Sequence, residues 1–211
     1  LVDTTANLWD QPDQGIWEQR GNPQHFVYSK VMCWATLDRG LRLAEECMRK
    51  APEKRWKNTR DEIREAVESK GYDKERGVFI RAFGNKEMDA SNLLIPRVGF
   101  VDYRDERMIR TADAIREDLD DDGLLKRFPN PPEGAFLACS FWLAECFAEQ
   151  GRIEEAHAVF DRALATGNDL GLFSEEYDTG TNELLGNFPQ GLTHLSHISA
   201  AVALADQAEI G

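Results

Sequence analysis

Two neighbouring segments of opposite character constrain the fold most. Residues 134–150, GAFLACSFWLAECFAEQ, are apolar nearly all round, whereas residues 153–165, IEEAHAVFDRALA, keep their apolar positions to one face. A helix apolar on every side must be covered on every side, while an amphipathic one can face water. The same pairing occurs earlier, with 26–50 before the charged 53–70, and an apolar 90–101 containing Pro96 before the charged 105–119. In 26–50, Val27, Val31, Trp34, Leu37, Leu41 and Leu43 recur at helical spacing, with Pro52 beyond as a breaker and Gly71 as the stop of the next helix. Another small-residue apolar helix, 187–206, ends the series. Residues 1–25 read as an ordered loop, and a brief strand is expected around 78–80.

Alternating inner and outer helices imply concentric layers, as in helical toroids and solenoids. The expected class is all-α, of partial-toroid type, with about seven helices; a closed ring of six helical hairpins needs about twelve. The alternative is a protein-interaction scaffold, because AECFAEQGRIEEAHAVFDRALA resembles a tetratricopeptide hairpin. That pattern does not recur at the period of about 34 residues that such an array requires.

A net charge of −13 and a pI near 4.8 oppose binding to nucleic acid or an anionic membrane surface. No stretch of about 18 apolar residues marks a membrane span, and no basic segment followed by an apolar run opens the sequence. Cys33, Cys47, Cys139 and Cys146 lie in apolar, helix-like stretches without zinc-motif spacing, which suggests buried thiols and a cytoplasmic location. P-loop, GxGxxG and GxSxG strings are missing, so no cofactor is expected. No metal is expected either. His194 and His197 have no third ligand to complete a set, and the DDDG of Asp120–Asp122 departs from an EF-hand loop and reads as a solvated turn.

Two polar strings could carry chemistry. WDQPDQGIWEQRGNPQHFVYSK, residues 9–30, sets Trp9 and Trp17 among carboxylates. Aromatic faces beside carboxylates suit sugars, since rings pack on C–H faces and carboxylates accept hydroxyl hydrogen bonds. A carboxyl group against an indole also loses solvation, which favours the protonated state a general acid needs. Glu18, directly after Trp17, is the first candidate; a plain loop or helix-terminus charge is the alternative. The second string, NDLGLFSEEYDTGTNELLGNFPQGLTH at 168–194, gathers Glu175, Glu176 and Asp178 in what reads as a loop between two helices. A solvated surface or a capping Ser174 would also account for it. Together the strings offer the two carboxyl groups that glycoside hydrolysis uses.

GIWEQRG with HFVYSKVMCWATLDR, EGAFLACSFW, and NDLGLFSEEYD with GNFPQGLTHLSHISAA resemble, in order, the motifs of glycoside hydrolase family 15, the family of glucoamylases, glucodextranases and some trehalases. The resemblance runs through nearly the whole chain and is greatest to bacterial-type members. It implies an (α/α)6 toroid that hydrolyses α-glucosidic bonds of an oligosaccharide or disaccharide with inversion. It places the general acid at Glu18 and, because the family's SEQYD and AEEYD variants keep the first position as Glu, the general base at Glu175. It further implies Trp17 beside the cleavage point, Ser29 and Lys30 at the same mouth, and Glu133 and Phe136 toward the leaving group, Phe136 being equally compatible with the core. An inverting pair should stand about 6.5–9.5 Å apart, leaving room for water.

The resemblance also implies that residues 1–211 correspond to the C-terminal half of the catalytic domain. In the family, the other half supplies Arg and Asp residues that hold the non-reducing glucose. Slow or absent hydrolysis by the chain alone is therefore expected, along with association with that N-terminal half or self-association. A carbohydrate-binding fragment without turnover is a further alternative.

Overall fold

The computed structural model describes residues 1–131 and 134–208. The chain divides into two compact units, residues 1–87 with 94–102, and residues 88–93 with 103 onward.

The first unit contains α1 (Val2–Leu8), α2 (Val27–Glu46), α3 (Glu53–Lys70) and an antiparallel hairpin of β1 (Tyr72–Asp73) and β2 (Val78–Phe79). Of the expected stripe, Val27, Val31, Trp34, Leu37 and Leu41 are buried in α2 but Leu43 is exposed; α2 packs on α3 and its buried Ile63 and Val67. Phe100 meets the rings of Trp34 and Phe79 edge-on. The Arg64 guanidinium covers Phe100 at 4.2 Å and donates to its carbonyl at 2.9 Å. An apolar side chain of Leu or Phe size contributes about 1.5–3 kcal/mol when fully buried, so this stripe and the buried Ile63, Val67, Phe79 and Phe100 all add to the unit's cohesion.

Residues 2–8 form a helix where a loop was expected. Seven residues of VDTTANL carry too little periodicity to be recognised. Tertiary contacts hold the segment: Val2 fills the space beside Gly40, where a Cβ would lie 2.8 Å from a Val2 methyl, and Trp56 Nε1–H donates to Asp3. The expected helix at 90–101 is instead two 3₁₀ turns, Ala90–Leu94 and Pro96–Val98. Pro96 lacks the N–H that a continuing helix needs, and its ring opposes the carbonyl four residues back. The Asp89 carboxylate accepts from the Ser91 N–H and hydroxyl, capping the first turn.

The second unit contains α4 (Glu106–Leu119), β3 (Asp120–Asp121), β4 (Leu124–Leu125), β5 (Ala135–Phe136), α5 (Leu137–Glu149), α6 (Ile153–Leu164), β6 (Glu176–Asp178), β7 (Glu183–Leu185) and α7 (Gly191–Ala208). Every residue of α5 from Leu137 to Ala148 is buried, as its uniform apolarity requires, against α4, α6 and α7. Phe141 meets Phe160, Phe173 and His197, and Trp142 Nε1–H donates to Ser196 Oγ at 2.9 Å. The DDDG string forms the β3–β4 hairpin, with Asp122 and Gly123 both at positive φ as a two-residue primed turn demands. Seven α-helices are present among the described residues, the expected number, although α1 replaces the helix foreseen at 90–101.

Candidate functional site

In the first unit, Glu18 belongs to a loop organised by Asp13. Main-chain bonds in both directions tie Asp13 to Gln24, closing the loop. Asp13 Oδ1 accepts from the Gly15 N–H and the Ser29 hydroxyl, both at 2.7 Å. Gly15, at φ +68, packs so closely on the Phe26 ring that a Cβ would come within 3.1 Å of it. The chain then turns back at Glu18, which is exposed and has a φ of +47. A non-glycine residue in this region is uncommon; Met48, Asp122, Asn130 and Asn182 share it. Trp17 is half-buried beside it. Ser29 and Lys30 brace the loop from the first turn of α2: Lys30 is 1% exposed and donates to the Gln11 carbonyl, with Asp13 at 3.5 Å. Trp9, Asp13, Tyr28 and Lys30 line a groove of about 520 Å³ in this unit.

In the second unit, the 168–194 string is more ordered than a loop: β5, β6 and β7 form an antiparallel sheet in that order, with Phe136 opposite Glu176 and Glu176 opposite Leu185. Gly134 permits the pairing, since a Cβ there would fall 2.3 Å from the Tyr177 carbonyl oxygen. Glu175 precedes β6. Its carbonyl accepts from Leu137 N–H at the start of α5, and its N–H donates to the Asn187 carbonyl. Its Oε2 accepts from both the N–H and the side-chain amide of Asn187, at 3.0 and 2.9 Å.

Side chains alternate along a strand, so Glu176 has different neighbours. It pairs with Arg127 at 3.7 Å, and the Arg127 guanidinium covers the Phe136 ring at 5.2 Å. Burial raises the Glu176 carboxyl above its ordinary range; Arg127 opposes the shift and the Glu175 charge adds to it. Ser174 is not a helix cap, since its hydroxyl donates to the Glu176 carbonyl within the same turn. Asp178 accepts from Gly180 and Thr181 N–H groups, which hold its carboxyl below the usual range and shape the β6–β7 turn.

Phe136 is 4% exposed and packed beneath Arg127. Glu133 lies outside the described residues. Glu175, Glu176, Phe136, Arg127 and Asn187 are thus gathered around one small sheet, while Trp17 and Glu18 share a turn braced by Ser29 and Lys30. Asp13, Arg127 and Asn187 escaped sequence reasoning. An Asp two residues before a Gly was the only available signal for the first, and the other two act through partners distant in sequence.

His194 Nε2 accepts from Phe173 N–H, and His197 packs among Phe141, Phe160 and Phe173. Among the described residues, no group of three or more His, Cys, Asp or Glu side chains is arranged to hold a metal ion, and no helix is long and apolar enough to cross a membrane. The cysteines are free; burial raises the thiols of Cys139 and Cys146, whereas Cys47 is exposed and Cys33 half-buried, contrary to the expectation that all four are buried.

The family model described as glycosyl hydrolases family 15 matches residues 1–202. The trehalase of Thermoplasma volcanium is 40% identical over 205 residues, covering 94% of this chain and 33% of the trehalase. The trehalase of Mycobacterium tuberculosis is 40% identical over 209 residues, covering 95% and 31%. The chain therefore spans about a third of the length of these relatives. Among solved structures, a wild-type glycosidase superposes with a TM-score of 0.84 at 21% identity, over 97% of this chain and 58% of that one. The glucoamylase of Saccharomycopsis fibuligera gives 0.82 at 9% identity, over 100% and 61%. These likenesses bear out the all-α fold of (α/α)6 toroid type.

Proposed function

Because the chain belongs to glycosyl hydrolase family 15, we propose that it is the carboxylate-bearing part of the catalytic domain of an inverting α-glucosidic hydrolase, with Glu18 as general acid and Glu175 as general base. The observation that carries this reading is the setting of Glu175. One of its oxygens is engaged by Asn187, no partner for Oε1 is found among the described residues, and Glu176 is occupied with Arg127. A carboxylate held by one oxygen and open at the other suits a base that takes a proton from water.

Glu18 would protonate the glycosidic oxygen as Glu175 activates water on the opposite face of the sugar, through an oxocarbenium-like transition state. Trp17, next to Glu18, offers an aromatic surface to the substrate. Ser29 and Lys30 serve the site by holding the loop that carries Glu18, and Phe136 serves it as the floor beneath Arg127. The curated relatives are trehalases, which favours an α,α-linked glucose disaccharide as substrate. Because the relatives are about three times longer, the chain alone should hydrolyse such a disaccharide far more slowly than they do. An exposed free Cys47 suits the reducing cytoplasm.

A chimera in which this chain replaces the matching third of the Thermoplasma volcanium trehalase tests the reading. Inversion at one anomeric centre of trehalose yields one β-glucose and one α-glucose, so proton NMR in the first minutes should show equal amounts. Release of α-glucose alone would overturn the inverting mechanism.

A further inference from the structure

We infer that Asn187 and Gly186 are positioning residues for Glu175: they fix one carboxylate oxygen so that the other is presented to water. The inference rests on the proposal that Glu175 is the base. Asn187 meets residue 175 three times. Its carbonyl accepts from Glu175 N–H at 2.9 Å, and its own N–H and Nδ2–H both converge on Oε2, at 3.0 and 2.9 Å. Two donors on one oxygen restrict rotation of the carboxylate, which leaves the lone pairs of Oε1 as the basic end. The amide orientation follows from the chemistry, because the opposite flip would set two acceptor oxygens against each other.

Gly186 makes the arrangement possible in two ways. Its φ of +71 turns the chain so that the next N–H points back at Glu175, and its lack of a side chain leaves room for the carboxylate. A Cβ at Gly186 would stand 2.8 Å from Glu175 Oε2 and 2.9 Å from Glu175 Cβ. Separate bonds anchor the surrounding segment: Gln190 N–H to the Phe173 carbonyl at 2.9 Å, and the Thr193 hydroxyl to the Ser174 carbonyl at 3.0 Å. Truncating the Asn187 side chain therefore removes one of the two donors that fix Oε2, so that the carboxylate can turn about the other, without removing the anchors.

The test uses the full chain, labelled with ¹⁵N. Glu175→Ala should speed hydrogen exchange of the Asn187 main-chain and side-chain N–H groups at least tenfold while leaving Gln190 N–H unchanged. Unchanged Asn187 exchange in that variant overturns the inference. Turnover of α-glucosyl fluoride, whose leaving group needs no protonation, reads the base half alone. There Asn187→Ala and Gly186→Ala should each lower kcat by about 100-fold, the scale of a misplacement of about 1 Å, with KM within twofold. A full kcat, or a rise in KM that accounts for the whole loss, overturns it. Where turnover is below detection, the exchange measurement decides. Failure of the underlying proposal looks different: Glu175→Ala would then turn over the fluoride as fast as the unmodified chain.

Discussion

Glu175 and Glu176 are chemically identical neighbours given different tasks by a strand's alternation. Burial holds the Glu176 carboxyl above its ordinary value of 4.5, against the pull of Arg127 and with the push of Glu175. Between that value and the raised one, the folded state binds more protons than the unfolded chain, so stability falls as pH rises through the window. Glu176→Gln should flatten this part of the curve of thermal midpoint against pH, and an unaltered slope would show that Glu176 does not titrate in that range. The candidate acid and base were legible in the sequence because each stands in a short, distinctive string. The groups that position them were not: Asp13 reaches Ser29 across sixteen residues and Asn187 reaches Glu175 across twelve. Such pairings follow from chain reversals at Gly15 and Gly186 and leave no periodic trace.

At the scale of elements, α4 and α5 yield the sharpest tests. Asp105 caps α4 by accepting from Arg107 N–H at 2.9 Å, and the Arg107 side chain, with that N–H, holds its carboxyl below the usual range. Asp105→Ala should cost about 1 kcal/mol in urea unfolding at neutral pH. That contribution is present above the unfolded-state value and disappears as pH falls through the lowered one. Between α5 and α7, Ser196→Ala would remove the hydroxyl that accepts from the buried Trp142 N–H and should cost about 1–3 kcal/mol, with a loss below 0.5 kcal/mol arguing against that bond. The long helices were legible because α2, α3 and α6 declare their faces through apolar spacing and α5 is apolar on every side. Residues 90–101 were misread because their apolar content suits a helix while Pro96 breaks one. The β5–β6–β7 sheet was missed because short polar strands such as EYD carry little signal, and a contact as distant as Gly134 against Tyr177 sets their pairing.

For the molecule as a whole, α7 bears a stripe of exposed apolar side chains at helical spacing: Leu192, Leu195, Ile198 and Val202, with Leu195 65% exposed. Contiguous apolar surface of this kind favours association. Sedimentation velocity should find the chain self-associating, and Leu195→Glu should shift it toward monomer; a monomer at every concentration would contradict the expectation. The fold class was legible from the alternation of covered and amphipathic helices, and the family from five strings in order. The central claim, that Glu18 and Glu175 act as acid and base, is tested most directly by initial rates of glucose release from trehalose by the trehalase chimera and its Glu18→Gln and Glu175→Gln forms. Each substitution should lower the rate by roughly 10²–10⁴-fold, and release at the unsubstituted rate by either variant would contradict the role given to that residue.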